Sequence, residues 1–442
     1  MDIPISPVVS KDVLSAAGAV PPAVDTRLET PHPSFGIPNL GPAIEGFHRV
    51  TTSVRLGFIC PSSNTALEPA ASALVLGHGS AHFSRVGVTR IALDAESDDQ
   101  FDITAMEAAA DLLTDARVDV LAWAGTSGSW LGVDREVELR DRLAGTAHVP
   151  VTTSTLAVLA ACRAYGARRL GLVSPYTAGV SARIAEELSH HGIDVVAQQY
   201  CGLTTNFDFS TVGESMMESM ITAAADGADA VAVLCTNMDG IAPATRAEAA
   251  RGIPVIDSIA ATVWHSLLLA DSDAAVVGRG DLLVNGMLRA RMQTVTEQLR
   301  SDTGADRTTL RVDRPEAGCS VNTCAAESRG NSVRSIRRDP TLPQRDLETV
   351  RWIDRHRTLL VQPDFSVEPH PPQALLEVYG VRAQMLAPVI RNGELVAWLS
   401  VHSLTERPWS EADQRALAGA AHQIDVALNS VTAHARPTLE VI

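Results

Sequence analysis

The chain reads as an α/β protein made of two similar parallel-sheet halves, followed by a separate α+β module. Three observations carry this. From Val54 to about residue 300, short apolar runs alternate with longer amphipathic stretches, the signature of strand–helix units around a parallel sheet. The triplets Arg55-Leu56-Gly57 and Arg169-Leu170-Gly171 each lead into an apolar run that ends in a proline turn, at Pro61 and Pro175. Near the C-terminus the pattern switches to two apolar runs around Asn392-Gly393, a hairpin signal.

Taken in order, strands are predicted over 55–60, 79–86, 118–123, 151–153, 169–173, 195–201, 228–234, 255–256 and 275–277. Helices are predicted over 101–116, 154–164, 179–190, 213–225, 243–250 and 258–270. Pro243 suits a first helical position, where its missing N–H costs nothing. Residues 1–50 are rich in proline and alanine without periodicity. They read as a loosely ordered arm, with one short helix over Ser10–Ala17. The two halves span 53–298 and end in a long amphipathic helix, Leu282–Arg300. Residues 299–317 read as a linker and 318–432 as the second module. There, Gln373–Tyr379 is predicted helical, Val381–Ile390 and Glu394–Leu404 are strands, and Trp409–Leu428 is a helix with Ser410 as N-cap.

Composition narrows the chemistry. The chain has 442 residues and a formal net charge of −16. That excludes the basic footprint of a general nucleic-acid binder and leaves any anionic substrate to local groups. Lys11 is the only lysine, so neither a Schiff-base lysine nor a P-loop lysine sits in the folded core. Six cysteines in a chain of this length do not form a disulfide scaffold. The first residues lack the basic and apolar regions of a signal peptide, and no apolar run reaches the roughly 18 residues of a membrane span. A reduced, cytoplasmic protein is expected. No His/Glu cluster has metal spacing, and Cys319 and Cys324 lack further zinc ligands.

Ligands of parallel sheets sit beyond the carboxyl ends of the strands, so the residues following the apolar runs are the candidates. The first strand delivers Cys60-Pro61-Ser62-Ser63-Asn64-Thr65. Hydroxyl and amide donors at a strand-to-helix turn can cradle an anion; N-capping by Ser63 or Asn64 is an equally ordinary reading. The run over 118–124 delivers Gly125-Thr126-Ser127-Gly128-Ser129, with glycine for close approach and hydroxyls as donors. Tyr176 follows the strand 169–173, as a cleft phenol or as packing on a helix. Cys235 follows the run 228–234 and precedes Thr236-Asn237. A helix N-terminus aimed at its sulfur would lower its pKa; a small buried hydrophobe is the commoner role of a lone cysteine.

Together, Pro61-Ser62-Ser63-Asn64-Thr65, Gly125-Thr126-Ser127, Pro175-Tyr176 and Cys235-Thr236-Asn237 resemble the aspartate/glutamate racemase superfamily. Within it, the chain looks like the branch of maleate cis-trans isomerase and arylmalonate decarboxylase. The resemblance implies a cofactor-free and metal-free enzyme with its active site between two pseudo-symmetric halves. It implies a small carboxylic acid as substrate, bound by Pro61, Ser63, Asn64, Ser127, Tyr176, Thr236 and Asn237. It implies that Cys235, Gly125 and Thr126 form the catalytic set. In the racemases and isomerases a second cysteine stands where this chain has Gly125; in the decarboxylase that residue is glycine. Cys235-Thr236-Asn237 is closer to the isomerase.

The expected reaction is decarboxylation of a malonate-type acid through an enediolate, with Cys235 as proton donor. A maleate-type isomerase using Cys235 is the alternative, and a non-catalytic carboxylate sensor is a third. The segment Met385–His402 with Trp409-Ser410-Glu411 resembles a GAF domain. Such domains bind small ligands or dimerise, so a ligand of this module and a homo-oligomer are expected.

Overall fold

The computed structural model describes residues 53–434 except 273, 316–317 and 339–342. The expected arm over 1–50 and the helix at Ser10–Ala17 lie outside the described residues.

The first half runs β1 (Val54–Pro61), α1 (Leu67–Val75), β2 (Gly79–Val86), α2 (Ala95–Asp98), α3 (Ile103–Thr114), β3 (Val120–Trp123), α4 (Gly128–Leu131), α5 (Val133–Ala147), β4 (Val151–Thr153) and α6 (Ser154–Tyr165). The second runs β5 (Arg169–Ser174), α7 (Ala178–His190), β6 (Asp194–Tyr200), α8 (Glu214–Ala224), β7 (Ala230–Val233), α9 (Ile241–Arg251), β8 (Val255–Asp257) and α10 (Ser258–Leu269). Their sheets are parallel and share one order, β2-β1-β3-β4 and β6-β5-β7-β8.

The duplication extends to single hydrogen bonds. Asp119 N donates to Arg55 O at 2.7 Å, and Asp229 N to Arg169 O at 2.6 Å. The carboxylates answer alike, Asp119 Oδ2 accepting from Arg55 N and Asp229 Oδ2 from Arg169 N. At the other strand ends, Ala124 N reaches Ile59 O at 2.9 Å and Leu234 N reaches Val173 O at 2.8 Å. Gly125 and Cys235, each one residue further on, are therefore equivalent positions.

The third unit begins inside α11 (Asp281–Thr303) and continues β9 (Arg307–Val312), β10 (Ala326–Arg329), α12 (Glu348–His356), β11 (Leu360–Gln362), α13 (Gln373–Glu377), β12 (Ala383–Arg391), β13 (Glu394–Ser403) and α14 (Glu411–His434). Its antiparallel sheet has the order β10-β9-β13-β12-β11. Asn392 and Gly393 take φ values of 50° and 81°, the left-handed pair that a type I′ hairpin requires. Ser410 and Asp413 cap α14 reciprocally, each accepting from the other's backbone N–H.

Helix α11 belongs to both cores. Its Leu282, Leu283 and Met287 pack with the two-half unit, and its Leu288, Met292 and Leu299 pack under the antiparallel sheet. The stretch 299–317, read as a linker, carries the end of this helix and strand β9, whose six residues are all buried. Arg307, Thr308, Thr309 and Arg311 hid β9, because the sheet buries these polar residues rather than turning them to water.

Three further readings change. No strand forms over 275–277: Val276 N pairs with Leu283 O of α11, and Val277 is exposed. Helix α5 was not predicted, since its charges mask the buried stripe Val133, Glu136, Leu139, Leu143 and Ala147. Pro243 is the third residue of α9, not the first; its absent N–H is still one of the four that lack a helical acceptor.

Candidate active site

The carboxyl ends of β1, β3, β5 and β7 bring together the loops that hold Asn64, Gly125, Tyr176 and Cys235. Most of the polar side chains expected to bind substrate join the two halves instead. Asn64 Nδ2 donates to Thr236 O at 3.0 Å and lies 3.2 Å from Thr236 Oγ1. Asn64 Oδ1 accepts from Ala66 and Leu67 N–H at the entry to α1, the capping alternative. From the other half, Asn237 Oδ1 accepts from Thr65 and Ala66 N–H, and its Nδ2 donates to Asn206 O. Thr236 Oγ1 donates to Ala124 O at 2.8 Å. Ser63 Oγ donates to Val88 O and accepts from Asn206 Nδ2. Pro61 O accepts from Asn64 N, which closes the turn.

A smaller group converges on the sulfur. Thr126 Oγ1 and Tyr176 OH are 2.8 Å apart, and the Tyr176 hydroxyl is near enough to the Cys235 thiol to favour its thiolate. Asn237 N approaches Cys235 Sγ at 3.4 Å, and Cys235 N is held by Ser258 Oγ. Tyr176 is gripped edge-on by Trp130 and Phe209, with ring centroids 5.2 and 5.3 Å away. Burial pushes the Cys235 thiol up to about 12, against smaller lowering by Tyr176 and Asn237 N. The possibility of a thiol activated by a helix N-terminus is thus not realised: α9 starts only at Ile241, and desolvation wins. Burial likewise raises Tyr176 well above its ordinary value. Both groups are neutral donors at physiological pH.

Across from Cys235, Gly125 is boxed in by an indole. A Cβ there would lie 2.5 Å from Trp123 Cε2 and closer still to Cζ2. Trp123 Nε1 donates to Ser127 Oγ, which donates to Glu136 Oε1; both distances are 3.1 Å. Gly128 N also donates to Glu136 Oε1 at 2.6 Å. Ser127 therefore spends its proton on Glu136, not on the cleft, and Glu136 holds the whole donor turn. Sequence reasoning missed Glu136, Trp123 and Asn206. A glutamate on an apolar helical stripe was the available signal for the first.

Burial pushes the Glu136 carboxyl up to about 7 from 4.5. Its folded pKa is raised, so the native state holds a proton that the unfolded chain releases between those values. Native stability should fall as pH rises from about 4.5 to about 7, then level off. Glu136→Gln should lose that component, by a few kcal/mol at most. Urea denaturation at pH 5 and pH 7.5 checks it: the variant should gain on the parent at the higher pH.

This fold and site define a two-half α/β enzyme with Cys235 at the carboxyl end of β7. The chain belongs to the arylmalonate decarboxylase family, whose model matches residues 56–283. A GAF domain model matches residues 288–428. Membership makes the chain an isomerase or lyase of the Asp/Glu racemase-like superfamily. A maleate isomerase of Pseudomonas putida is 28% identical over 53% of this chain and 98% of its own. Another from Geobacillus stearothermophilus is 25% identical over 52% of this chain and 96% of its own. Among solved structures, a variant of the maleate isomerase Iso from Pseudomonas putida S16 with maleate is 27% identical, with a TM-score of 0.49, covering 52% of this chain and 97% of that one. Among the described residues no group of His, Cys, Asp and Glu could hold a metal ion, and no helix is long and apolar enough to cross a membrane.

Proposed function

We propose that the enzyme decarboxylates a malonate-type acid and that Cys235 supplies the proton. The observation that carries this is the Gly125 position, equivalent to Cys235 and filled from the side by Trp123. One thiol reaches the cleft, so one face of a planar intermediate receives a proton. The retained carboxylate is held by Thr126, Tyr176 and the backbone N–H groups of Gly125 and Thr126, since Gly128 N is already given to Glu136. The other carboxylate, kept from water and from donors, leaves as CO₂ when its C–C bond breaks. The bond's electron pair stays on carbon and spreads into the enediolate, which the same donors stabilise. Cys235 Sγ–H gives its proton to that carbon, and the thiolate then recovers one from solvent. A thiol raised to about 12 suits this acid better than it suits a nucleophile.

A panel of substituted malonates in D₂O tests the reading: CO₂ release with one deuterium at the α-carbon of the product is expected. The second reading, isomerisation of a maleate-type acid by addition of Cys235, is favoured by the names of the curated relatives. A covalent succinyl-type adduct on Cys235 in intact mass spectra, without CO₂, would select it.

A further inference from the structure

A cavity of about 580 Å³ lies between the C-terminal module on one side and helix α6 with the second α/β half on the other. On one side it is walled by residues at the amino ends of β5 and β7, among them Arg168, Arg169 and Asp229. Parallel strands start together, so this is the end of the sheet opposite Cys235, on the order of 15–20 Å away along a six-residue strand. On the other side the walls are α11, β10 and the segment that carries Arg337 and Arg338.

The lining is unlike the rest of the molecule. Six arginines face three carboxylates there, in a chain of net charge −16. The carboxylates are already engaged. Glu297 pairs with Arg163, Asp229 pairs with Arg338, and Glu327 accepts from Ile336 N and Ser335 Oγ. Arg337 is buried across the domain junction, donating to Ala325 O at 2.9 Å and pressing on Gly166, where a Cβ would come within 2.7 Å of its Nε. Arg329 is spent on the carbonyls of Gly330 and Val333, which leaves the guanidinium groups of Arg168 and Arg169. Among the described residues they have no carboxylate partner, and Arg169 sits close enough to Arg338 for their charges to repel. Crowded cations around a polar cavity are electrostatically incomplete, and their forked donors match planar or tetrahedral oxyanions.

We propose that this interdomain cavity binds a small anion carrying two or more negative charges, a polycarboxylate or a phosphate, on Arg168, Arg169 and Arg338. The site takes its walls from both modules, and α11 is common to both cores, so the bound anion clamps the catalytic half to the C-terminal module. It does not depend on the reaction proposed above.

Titration calorimetry of the full chain with citrate and, separately, inorganic pyrophosphate at about 0.15 M salt tests it. Saturable binding is expected for at least one probe, which also tells the two oxyanion types apart. In Arg168→Gln/Arg169→Gln that affinity should fall at least about tenfold, the scale of a lost charge-assisted hydrogen bond. The probe should raise the melting temperature of the parent and not of the double variant. Both side chains are exposed, so the unliganded variant should melt with the parent; if it does not, Arg168→Gln alone carries the comparison. No saturable binding of either probe, or an affinity unchanged in the arginine variants, as an anion held at the catalytic cleft would show, overturns the proposal.

Discussion

Cys235→Ser should lower the turnover number about 10²–10⁴-fold, the range for loss of a positioned general acid, and leave KM within about twofold. The thiol sits at the end of β7 with its backbone N–H fixed by Ser258 Oγ and its sulfur met by Tyr176 and Asn237 N. Serine keeps the volume and can keep these bonds, so the fold should survive and the melting temperature should stay within a few degrees. What changes is proton delivery, because an aliphatic hydroxyl is a far weaker acid than a thiol. Substrate binding rests on Thr126, Tyr176 and the glycine turn, which is why KM should hold. Because C–C cleavage precedes protonation, the residual turnover of the variant should take its proton from solvent on either face of the enediolate, read as racemic product. Full activity with unchanged stereochemistry would remove Cys235 from the mechanism. The raised thiol pKa adds a second check: loss of the Cys235 proton should not limit the parent's activity at pH 7 to 9, since burial holds the thiol protonated up to about 12.

Much of this arrangement was legible because strand ends in parallel α/β sheets announce their loops. The eight strands of the two halves were found, and the repeat Arg-Leu-Gly proved to mark equivalent β1 and β5. The partner of Cys235 was also legible as an absence, through Gly125. What could not be read was where the donors point. Ser63, Asn64, Ser127, Thr236 and Asn237 are all near the cleft, yet their hydrogen bonds run into Val88, Leu67, Glu136, Ala124 and Thr65. A donor-rich motif has the same letters whether it serves a ligand or the interface between halves; only the acceptor's position distinguishes them. The β9 strand failed for a related reason. Arg307 and Arg311 are buried, with Arg307 donating to Arg334 O and Arg311 to Val321 O. Sequence patterning assumes that arginine faces water, and here the long C-terminal loops satisfy it instead.

Gly125→Cys should cost stability before it creates a second catalytic thiol. The side chain must start at a Cβ only 2.5 Å from Trp123 Cε2, and no rotamer moves a Cβ. Either the indole shifts or the turn does. Trp123 is fully buried and tied through Ser127 to Glu136, so the strain spreads into the donor turn. Overpacking of this kind costs about 1–3 kcal/mol, and the carboxylate-binding N–H groups of the turn shift with it. Decarboxylation should therefore fall, with no gain of two-sided proton exchange. Shrinking the obstacle changes the outcome. Trp123→Phe alone should destabilise by leaving a void, yet combined with Gly125→Cys the two should be less destabilising than the sum of the single changes, because each relieves the other. Only the double variant places a thiol opposite Cys235, so only it should exchange the α-proton of both enantiomers of the monoacid product with D₂O. Urea denaturation of the four proteins in the cycle measures the coupling, and deuterium uptake by each enantiomer reads the second thiol. A Gly125→Cys protein as stable as its parent, exchanging both enantiomers on its own, would show that Trp123 does not guard this position.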